Sequence, residues 1–470
     1  MIRASNAHAD RVTAARVALA VAILFGGSLA LFWPGYVSYD SLAQYRQALS
    51  GRYDDWHPPA MAHLWALFGA HGPAPMLVLQ MLCYWGGFGA LAVTLTAQGR
   101  RLAALAILGL ACWPALLGWQ AVVLKDLQML AALLAATGLV ATWRLRGMRV
   151  PAGAWAAAGC LAVYAMLVRA NAVFAVVPLA AMAAIPPRRT VWRLAAIAVA
   201  VPLVLAAAGP INHRLLGAGA SGVERTQAMY DLSGVAVATD DDTDTGLTRP
   251  EIATLRARAC VRPFFWDPLG DGGRCGAETA KLRATSVGAL YGTLARAVVN
   301  HPLAYAAHRL AHLNATDRWL VPLHWYGAAP PVANEPNPYD FRAPGKAAGR
   351  WQQLAGVLVE TPFGWPALWA VLAVIGLTAT WRAEDAAGGL AAALFASAVG
   401  QEASFAAISI ASDLRYHLWA MTATAIGWVV LGRLPRGRWA WGAVIVVLVG
   451  GIAARLWLPQ AAQTYSGMLG

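Results

Sequence analysis

Apolar segments about as long as a membrane is thick recur along the chain, separated by short polar stretches. They cover residues 14–33, 76–98, 102–119, 124–143, 152–168, 171–185, 191–209, 363–381, 387–411, 416–432 and 439–458. An α-helix needs about 20 predominantly apolar residues to cross the hydrocarbon core, so each segment predicts a membrane-spanning helix. Arg169 and Asn171 interrupt the region 152–186 and divide it into a hairpin of two short helices. The pattern predicts an all-α polytopic membrane protein with a bundle of about eleven transmembrane helices.

The region between the seventh and eighth apolar segments has a different pattern. Residues 210–362 carry similar numbers of acidic and basic side chains, which is typical of a small folded unit outside the membrane. Thr248-Arg249-Pro250-Glu251 fits a capping box with proline in the first turn, and further helices are predicted over 278–299 and 303–314. The chain thus divides into an N-terminal transmembrane module of about seven helices (1–209), with a first outer loop at 35–75, an extracytoplasmic, mainly helical loop domain (210–362) and a C-terminal transmembrane module of about four helices (363–470).

Composition and charge agree with this interpretation and predict an orientation. The chain is 59% hydrophobic and only 13% charged, which excludes an ordinary soluble fold. Most Lys and Arg residues outside 210–362 fall on one side of the predicted helices, as Arg100, Arg144 and Arg433 do. The positive-inside rule makes that side cytoplasmic and explains the net charge of +13 without invoking nucleic acid. We therefore expect the N-terminus in the cytoplasm.

Charged residues collect at the opposite, outer ends of the predicted helices. The first outer loop contains Asp40, Asp54 and Asp55. Farther along the chain the group includes Asp126 among the acids and Lys125, Arg169 and Arg415 among the cations. Such a set suits group transfer from a lipid phosphate, because an acid can bind or deprotonate an acceptor hydroxyl while cations neutralise the charge on the departing phosphate.

Structural roles are alternatives for several of these residues. Asp54 or Asp55, taken singly, fits a solvated turn, since acidic outer loops commonly face water. Lys125 and Asp126 open a span that is otherwise free of charge, and they could form an interfacial ion pair. Arg415 closely follows Asp413 and could pair with it or extend outward to the membrane surface.

These elements resemble the GT-C superfamily of membrane glycosyltransferases that use polyprenyl-phosphate sugars, in particular the branch of protein mannosyltransferases and lipid A aminoarabinose transferases. In that branch the first outer loop carries an acidic motif, a short helix, a glycine and Lys-Pro-Pro or His-Pro-Pro. The matching residues here are Tyr39-Asp40-Ser41, Gln44 to Ala48, Gly51 and His57-Pro58-Pro59. Asp126 matches the second acid of the family, Arg415-Tyr416 its late arginine-tyrosine element, and Arg169 to Pro178 a basic residue followed by an apolar run and proline.

The resemblance implies a GT-C-like bundle and a glycosyltransferase reaction. A sugar would pass from an undecaprenyl-phosphate donor to an extracytoplasmic glycan, lipid or protein at a bacterial inner membrane. Asp40 would be the leading base with Asp55 in reserve, and Asp126 would be a further catalytic acid. Lys125, Arg169, Arg415 and Tyr416 would bind the donor phosphate. Tyr39, His57 and Pro58 would contact substrate.

Metal and disulfide chemistry need separate consideration. Ser41 follows Asp40 where the family pattern has a second acid, which favours catalysis without a metal or other cofactor. His308 and His312 lie one turn apart without an evident third ligand, so they are interpreted as packing residues. Cys260 and Cys275 fall in the outer loop domain, where an oxidising compartment would favour a disulfide over two free thiols.

Two other functions remain open at this point. A transporter or flippase for lipid-linked saccharides would also need outer cations and many spans, but such proteins often show inverted repeats and charges near the middle of the membrane. A polymerase or ligase that uses diphosphate-linked glycans would depend on arginines and would not need the acidic first loop.

Overall fold

The computed structural model describes residues 2–469, with side chains from Val12 onward, and the regular secondary structure in this range is helical. The N-terminal helices are α1 (Ile2–Phe32), α2 (Tyr39–Ser50), α3 (Ala60–Ala66), α4 (Ala74–Ala97), α5 (Arg101–Ala111), α6 (Pro114–Gln120), α7 (Lys125–Arg144), α8 (Ala152–Val168), α9 (Val173–Ala184) and α10 (Thr190–Pro210). The next are α11 (Thr226–Thr239), α12 (Arg249–Ala257), α13 (Asp267–Gly270), α14 (Ala280–Ala284), α15 (Val287–Asn300), α16 (Pro302–Asp317) and α17 (Lys346–Leu358). The last are α18 (Pro366–Thr380), α19 (Ala386–Ile408), α20 (Leu418–Leu431), α21 (Arg438–Trp457) and α22 (Tyr465–Leu469).

The helices have the lengths and composition of a helical membrane protein. Among the described residues, 6 helices are long and apolar enough to cross a membrane, namely α1, α4, α7, α10, α19 and α21. Helices α5 and α6 are long and apolar enough only when taken together, and they bend by 54°, which fits either a broken span or a re-entrant loop. Pro114 begins α6 and cannot donate a backbone hydrogen bond, which explains the break after Ala111. Helices α8, α9, α18 and α20 are shorter, so the eleven crossings remain a prediction although every predicted segment is helical.

Helix α7 lies at the centre of the N-terminal module and is buried along most of its length. It packs closely against α4, where a side chain on Gly87 would come within 2.4 Å of the Leu134 backbone, and one on Gly138 within 2.5 Å of the Gly87 carbonyl oxygen. Only glycine allows two helix backbones to approach this closely. The first turn of α7, with Lys125 and Asp126, is consequently held in the interior of the bundle.

Two arginines at one end of the bundle donate hydrogen bonds to backbone carbonyl groups at the C-termini of neighbouring helices. Arg100, before α5, donates to the carbonyl oxygen of Val430 near the end of α20 at 2.7 Å. Arg193 in α10 donates to the carbonyl oxygen of Ile185, just after α9, at 2.9 Å. Arginine beside a helix C-terminus compensates its partial negative charge. These arginines belong to the set that the charge pattern assigns to the cytoplasm, and the predicted site residues lie at the other ends of the helices.

Helices α11 to α16 form a helical unit with a hydrophobic core of its own, whereas Ala348 and Ala355 of α17 belong to the core of the membrane helices. The capping box at the start of α12 is confirmed, with the Thr248 backbone N–H donating to Glu251 Oε2 at 2.7 Å. The helix predicted over 278–299 is divided into α14 and α15, because Thr285 and Ser286 adopt an extended backbone between them. The structure contains the Cys260–Cys275 disulfide, which joins the chain after α12 to the turns before α14.

Arg309 attaches this outer unit to the membrane helices. Its guanidinium group donates to the carbonyl oxygens of Phe405 (3.0 Å), Ala406 (2.9 Å) and Ser409 (2.9 Å) at the C-terminal end of α19. It also pairs with the buried Asp231 at 3.1 Å. The unit is therefore docked on the helix that leads into residues 409–417.

The side chains of His308 and His312 are used in packing within the outer unit. His308 Nε2 lies 3.3 Å from Asp231 Oδ1. His312 Nδ1 donates to the carbonyl oxygen of Pro263 at 2.7 Å. Their interpretation as packing residues agrees with these contacts.

Cysteine labelling tests the orientation. With Cys83, Cys112 and Cys160 replaced by alanine, Ser50→Cys and Ala343→Cys should react with a membrane-impermeant maleimide added to intact cells, because both exposed positions are assigned to the outer side. Arg146→Cys, at the opposite ends of the helices, should react only after permeabilisation. Labelling of one outer position without the other would contradict the topology.

Candidate functional site

Five separate chain segments bring their charged side chains together at one end of the bundle. They are the start of α2, the loop before α3, the first turn of α7, the end of α8 and the turn between α19 and α20. The residues are Asp40, His57, Lys125, Asp126, Arg169, Arg415 and Tyr416. We refer to these residues as the charged cluster.

Arg415 links the two acids of the charged cluster. Its Nη2 donates to Asp40 Oδ2 at 3.1 Å, and its Nε lies 3.7 Å from Asp126 Oδ2. Asp413, two residues earlier, is a third carboxylate at 3.8 Å. The arginine thus joins the first outer loop to α7, and its pairing with Asp413 is one contact among several.

Asp126 is an almost completely buried carboxylate, with 1% of its side chain exposed. Arg169 Nη1 lies 2.7 Å from its Oδ1. The guanidinium of Arg169 also lies over the ring of Tyr416, 4.2 Å from the ring centre, in a cation–π contact. Because a buried charge needs compensation, this pairing accounts for an acid at the edge of an apolar span.

Lys125 has a different partner from its neighbour Asp126. The Nζ atom of Lys125 donates to His57 Nδ1 at 2.7 Å, so Nδ1 acts as the acceptor and the proton of the neutral imidazole lies on Nε2. Burial and the positive charge of Lys125 together lower the pKa of His57 to about 3, against the opposing effect of Asp40. His57 therefore presents a neutral N–H group, whose Nε2 atom lies 3.9 Å from Asp40 Oδ1.

Asp40 is held as a carboxylate. Burial would raise its pKa, but the positive charges of Arg415 and Lys125 outweigh this effect and bring the pKa well below its ordinary value. Oδ2 is engaged by Arg415, whereas Oδ1 faces His57 across the wider gap. About a fifth of the Asp40 side chain (19%) is exposed, more than that of Asp126.

Ser41 explains how the α2 segment keeps its place without the second acid of the family pattern. Its hydroxyl accepts a hydrogen bond from the Ser38 backbone at 3.0 Å and donates to the carbonyl oxygen of Val123 at 2.6 Å. The first contact caps α2, and the second attaches the helix to the segment that enters α7. Ser41 therefore positions Asp40 beside Lys125.

The remaining predicted residues lie around the charged cluster or apart from it. Tyr39 is 72% exposed beside Asp40. The carbonyl oxygen of Pro58 accepts from Gln44 at 3.4 Å and so connects the His57 loop to α2. Asp55 has other partners, because its Oδ1 accepts from the Ser221 backbone at 2.6 Å and its Oδ2 lies 3.4 Å from His213.

A buried hydrogen-bonded chain behind Arg415 and Tyr416 was not anticipated. His417 Nδ1 lies 2.8 Å from Glu402 Oε2, and His417 Nε2 lies 2.8 Å from Thr316 Oγ1. Gln401 also donates to the Tyr416 carbonyl oxygen at 2.8 Å. The sequence does contain an indication of this chain. Glu402 is an acidic residue within the apolar segment 387–411, and an acidic side chain in such a segment needs a polar partner.

Two groups of side chains have ligand atoms close enough to hold a metal ion. Asp317, Glu402 and His417 form one, and Asp241, Asp244 and His301 form the other, with the ligand atoms of each within 4.8 Å of one another. In both groups the histidine already has a hydrogen-bond partner within the protein. Neither group includes a residue of the charged cluster, and the chemistry considered below does not depend on them.

Comparison with known proteins gives no independent assignment. No protein-family profile matches the chain, and neither a curated protein nor a solved structure matches it.

Removal of one partner of the buried ion pair should destabilise the protein. Asp126→Asn keeps the size of the side chain but leaves Arg169 and Arg415 without their buried counter-charge, a change that costs about 3–5 kcal/mol in other proteins. Thermal unfolding in detergent, followed by tryptophan fluorescence, should show a clear fall in Tm. Asp54→Asn, in the first outer loop but outside the charged cluster, is the matched control. Equal Tm values for the two variants would argue against a buried ion pair.

Proposed function

We propose that the protein is a membrane glycosyltransferase that moves a sugar from a polyprenyl-phosphate donor to an extracytoplasmic acceptor. In this reaction the acceptor hydroxyl oxygen forms a bond to the anomeric carbon of the sugar. The bond between that carbon and the donor phosphate oxygen breaks, and the phosphate leaves with the bonding electrons. The proton of the hydroxyl passes to a base or to water.

The proposal rests on contacts between residues that are far apart in the sequence. Four residues from widely separated positions that resemble GT-C elements contact one another directly or through a shared partner. They are Asp40, Asp126, Arg169 and Arg415. A set of unrelated solvated turns would not require these contacts. The arrangement combines carboxylates with cations at one end of a membrane bundle, where lipid-linked substrates present their head groups.

Arg169 and Arg415 are suited to the donor phosphate. Their side chains are 16% and 13% exposed, and their carboxylate partners hold them in position. Arginine binds phosphate oxygens with two parallel N–H groups. Charge that builds on the leaving phosphate would be neutralised by groups already oriented before reaction.

Asp40 and His57 are suited to the acceptor hydroxyl. His57 Nε2 is buried without a hydrogen-bond partner among the described residues and lies 3.9 Å from Asp40 Oδ1, so an acceptor hydroxyl that donates to Oδ1 can accept from Nε2–H once the site opens locally. The low pKa of Asp40 makes it a weak proton acceptor in the ground state. It orients the hydroxyl and stabilises the positive charge that develops on the attacking oxygen during bond formation, when proton transfer becomes favourable.

Asp40→Asn tests this role. Purified protein in lipid nanodiscs is supplied with a panel of undecaprenyl-phosphate-linked hexoses and pentoses, and transfer to cell-envelope extract is measured. Asp40→Asn should lower the rate about 100-fold or more, the usual scale for a general base, because it removes the charge but keeps the shape. Asp55→Asn, in the same loop but bound to Ser221 and His213, should remain active.

The opposite result would revise the proposal. If Asp55→Asn were inactive and Asp40→Asn active, the base would be Asp55. If both single variants and the double variant stayed active, the first outer loop would not be catalytic. Movement of a fluorescent lipid-linked saccharide across proteoliposomes without transfer would then support a flippase.

Substitution of Arg415 should affect the donor in a different way from substitution of Asp40. Arg415→Gln removes a cation that binds phosphate in both the ground state and the transition state, so the donor KM should rise and kcat should fall. Arg415→Lys, which keeps the charge but not the planar group, should lie between wild type and Arg415→Gln. A donor KM that is equal in all three proteins would exclude phosphate binding by Arg415.

A further inference from the structure

A segment of the outer unit lies beside the charged cluster and was not part of the predicted site. Phe265 forms an antiparallel bridge with Ala411, and the Trp266 backbone N–H donates to the Ile410 carbonyl oxygen at 3.0 Å. Residues 264–267 thus run alongside the chain that leads to Arg415.

Two tryptophans join this segment to the first outer loop. The rings of Trp56 and Trp266 lie 5.7 Å apart and are tilted by 42°. Trp56 directly precedes His57, whose imidazole faces Asp40. The indole of Trp56 is nevertheless 39% exposed, so its contact with Trp266 leaves aromatic surface open beside the charged cluster.

Asp267 adds a polar group next to the tryptophans. Its Oδ2 accepts from the Tyr465 hydroxyl at 2.9 Å. Burial and the negative charges of Asp413 and Asp40 together raise the pKa of Asp267 to about 6, against the opposing effect of the Tyr465 hydroxyl. Asp267 directly follows Trp266, so it belongs to the segment that contacts the first outer loop.

We propose that Trp56, Trp266 and Asp267 form an acceptor subsite for a sugar ring of a neutral saccharide. A pyranose has a C–H face that packs on indole and hydroxyl groups that donate to carboxylates, and binding sites of this kind combine aromatic walls with a few polar groups. An ionised Asp267 accepts from such hydroxyl groups and repels an anionic group. The acceptor role rests on the proposed function and narrows its acceptor to a glycan.

The position of the subsite suits transfer. Trp56 directly precedes His57, so a sugar bound on Trp56 would lie near the loop that carries His57, and a neighbouring hydroxyl of the same glycan would be directed toward Asp40. The donor phosphate would bind on the arginine side of Asp40, at Arg415 and Arg169. Donor and acceptor would then approach Asp40 from different sides.

Binding of defined saccharides tests the subsite without requiring transfer. The full-length protein in nanodiscs is titrated with maltotriose, cellotriose, mannotriose and chitotriose, and saturation-transfer NMR reports binding. At least one trisaccharide should bind saturably, and Trp56→Ala and Asp267→Asn should each weaken its affinity at least tenfold. Trp439→Ala, at an exposed tryptophan on α21, is the matched control and should bind as wild type does. Trp56→Phe and Trp266→Phe keep an aromatic face and should retain most of the affinity even if an alanine variant fails to fold.

The outcomes separate this inference from the proposed function. Asp40→Asn should still bind the trisaccharide while transfer is lost. Saccharide binding that depends on Trp56, in a protein without transferase activity, would support the subsite and refute the transferase. Active transfer with an acceptor KM unchanged by Trp56→Ala and Asp267→Asn would refute the subsite alone. Failure of all four trisaccharides to bind wild type, or preferred binding of a Ser/Thr-rich peptide, would also overturn it.

Discussion

The buried carboxylate of Asp126 is the constraint on which the arrangement of the site depends. A carboxylate at the edge of a membrane span, with 1% of its side chain exposed, is costly unless cations accompany it. Arg169 comes from the end of α8 and Arg415 from the turn after α19, so neither can reach Asp126 unless those helix ends meet at α7. Once Arg415 is held there, its second contact draws Asp40 and the first outer loop into the same place.

Local sequence patterns predicted the helical segments, the capping box at Thr248 and the residues of the charged cluster. They did not predict which residues that are far apart in the sequence would contact one another. Asp40 and Asp55 have similar sequence surroundings, yet one pairs with Arg415 and the other binds the chain after α10. Hydropathy likewise does not register the bend at Pro114, and nothing local indicates that residues 264–267 lie beside the first outer loop.

Ser41 shows how a change within a motif can preserve its geometry and alter its chemistry. An acid at this position would add a negative charge next to Asp40. The serine hydroxyl instead accepts a hydrogen bond from the Ser38 backbone N–H and donates one to the Val123 carbonyl oxygen. Around Arg415 the cations Lys125, Arg169 and Arg415 then meet the carboxylates of Asp40, Asp126 and Asp413 and a neutral imidazole. A second acid at position 41 would add a further negative charge to this set.

The pKa values of residues in the outer loops indicate that two parts of the site respond differently to acid. The pKa of His57 is lowered to about 3 and that of Asp40 lies well below its ordinary value, so both groups keep their charge state from mildly acidic to neutral medium. The pKa of Asp267 is raised to about 6, so this group loses its charge on moderate acidification. On the outer side, to which the charge pattern assigns these loops, no cytoplasmic buffer is present and the pH follows the surroundings. If the proposed subsite is correct, acid surroundings alter binding at Asp267 before they change the charges of His57 and Asp40.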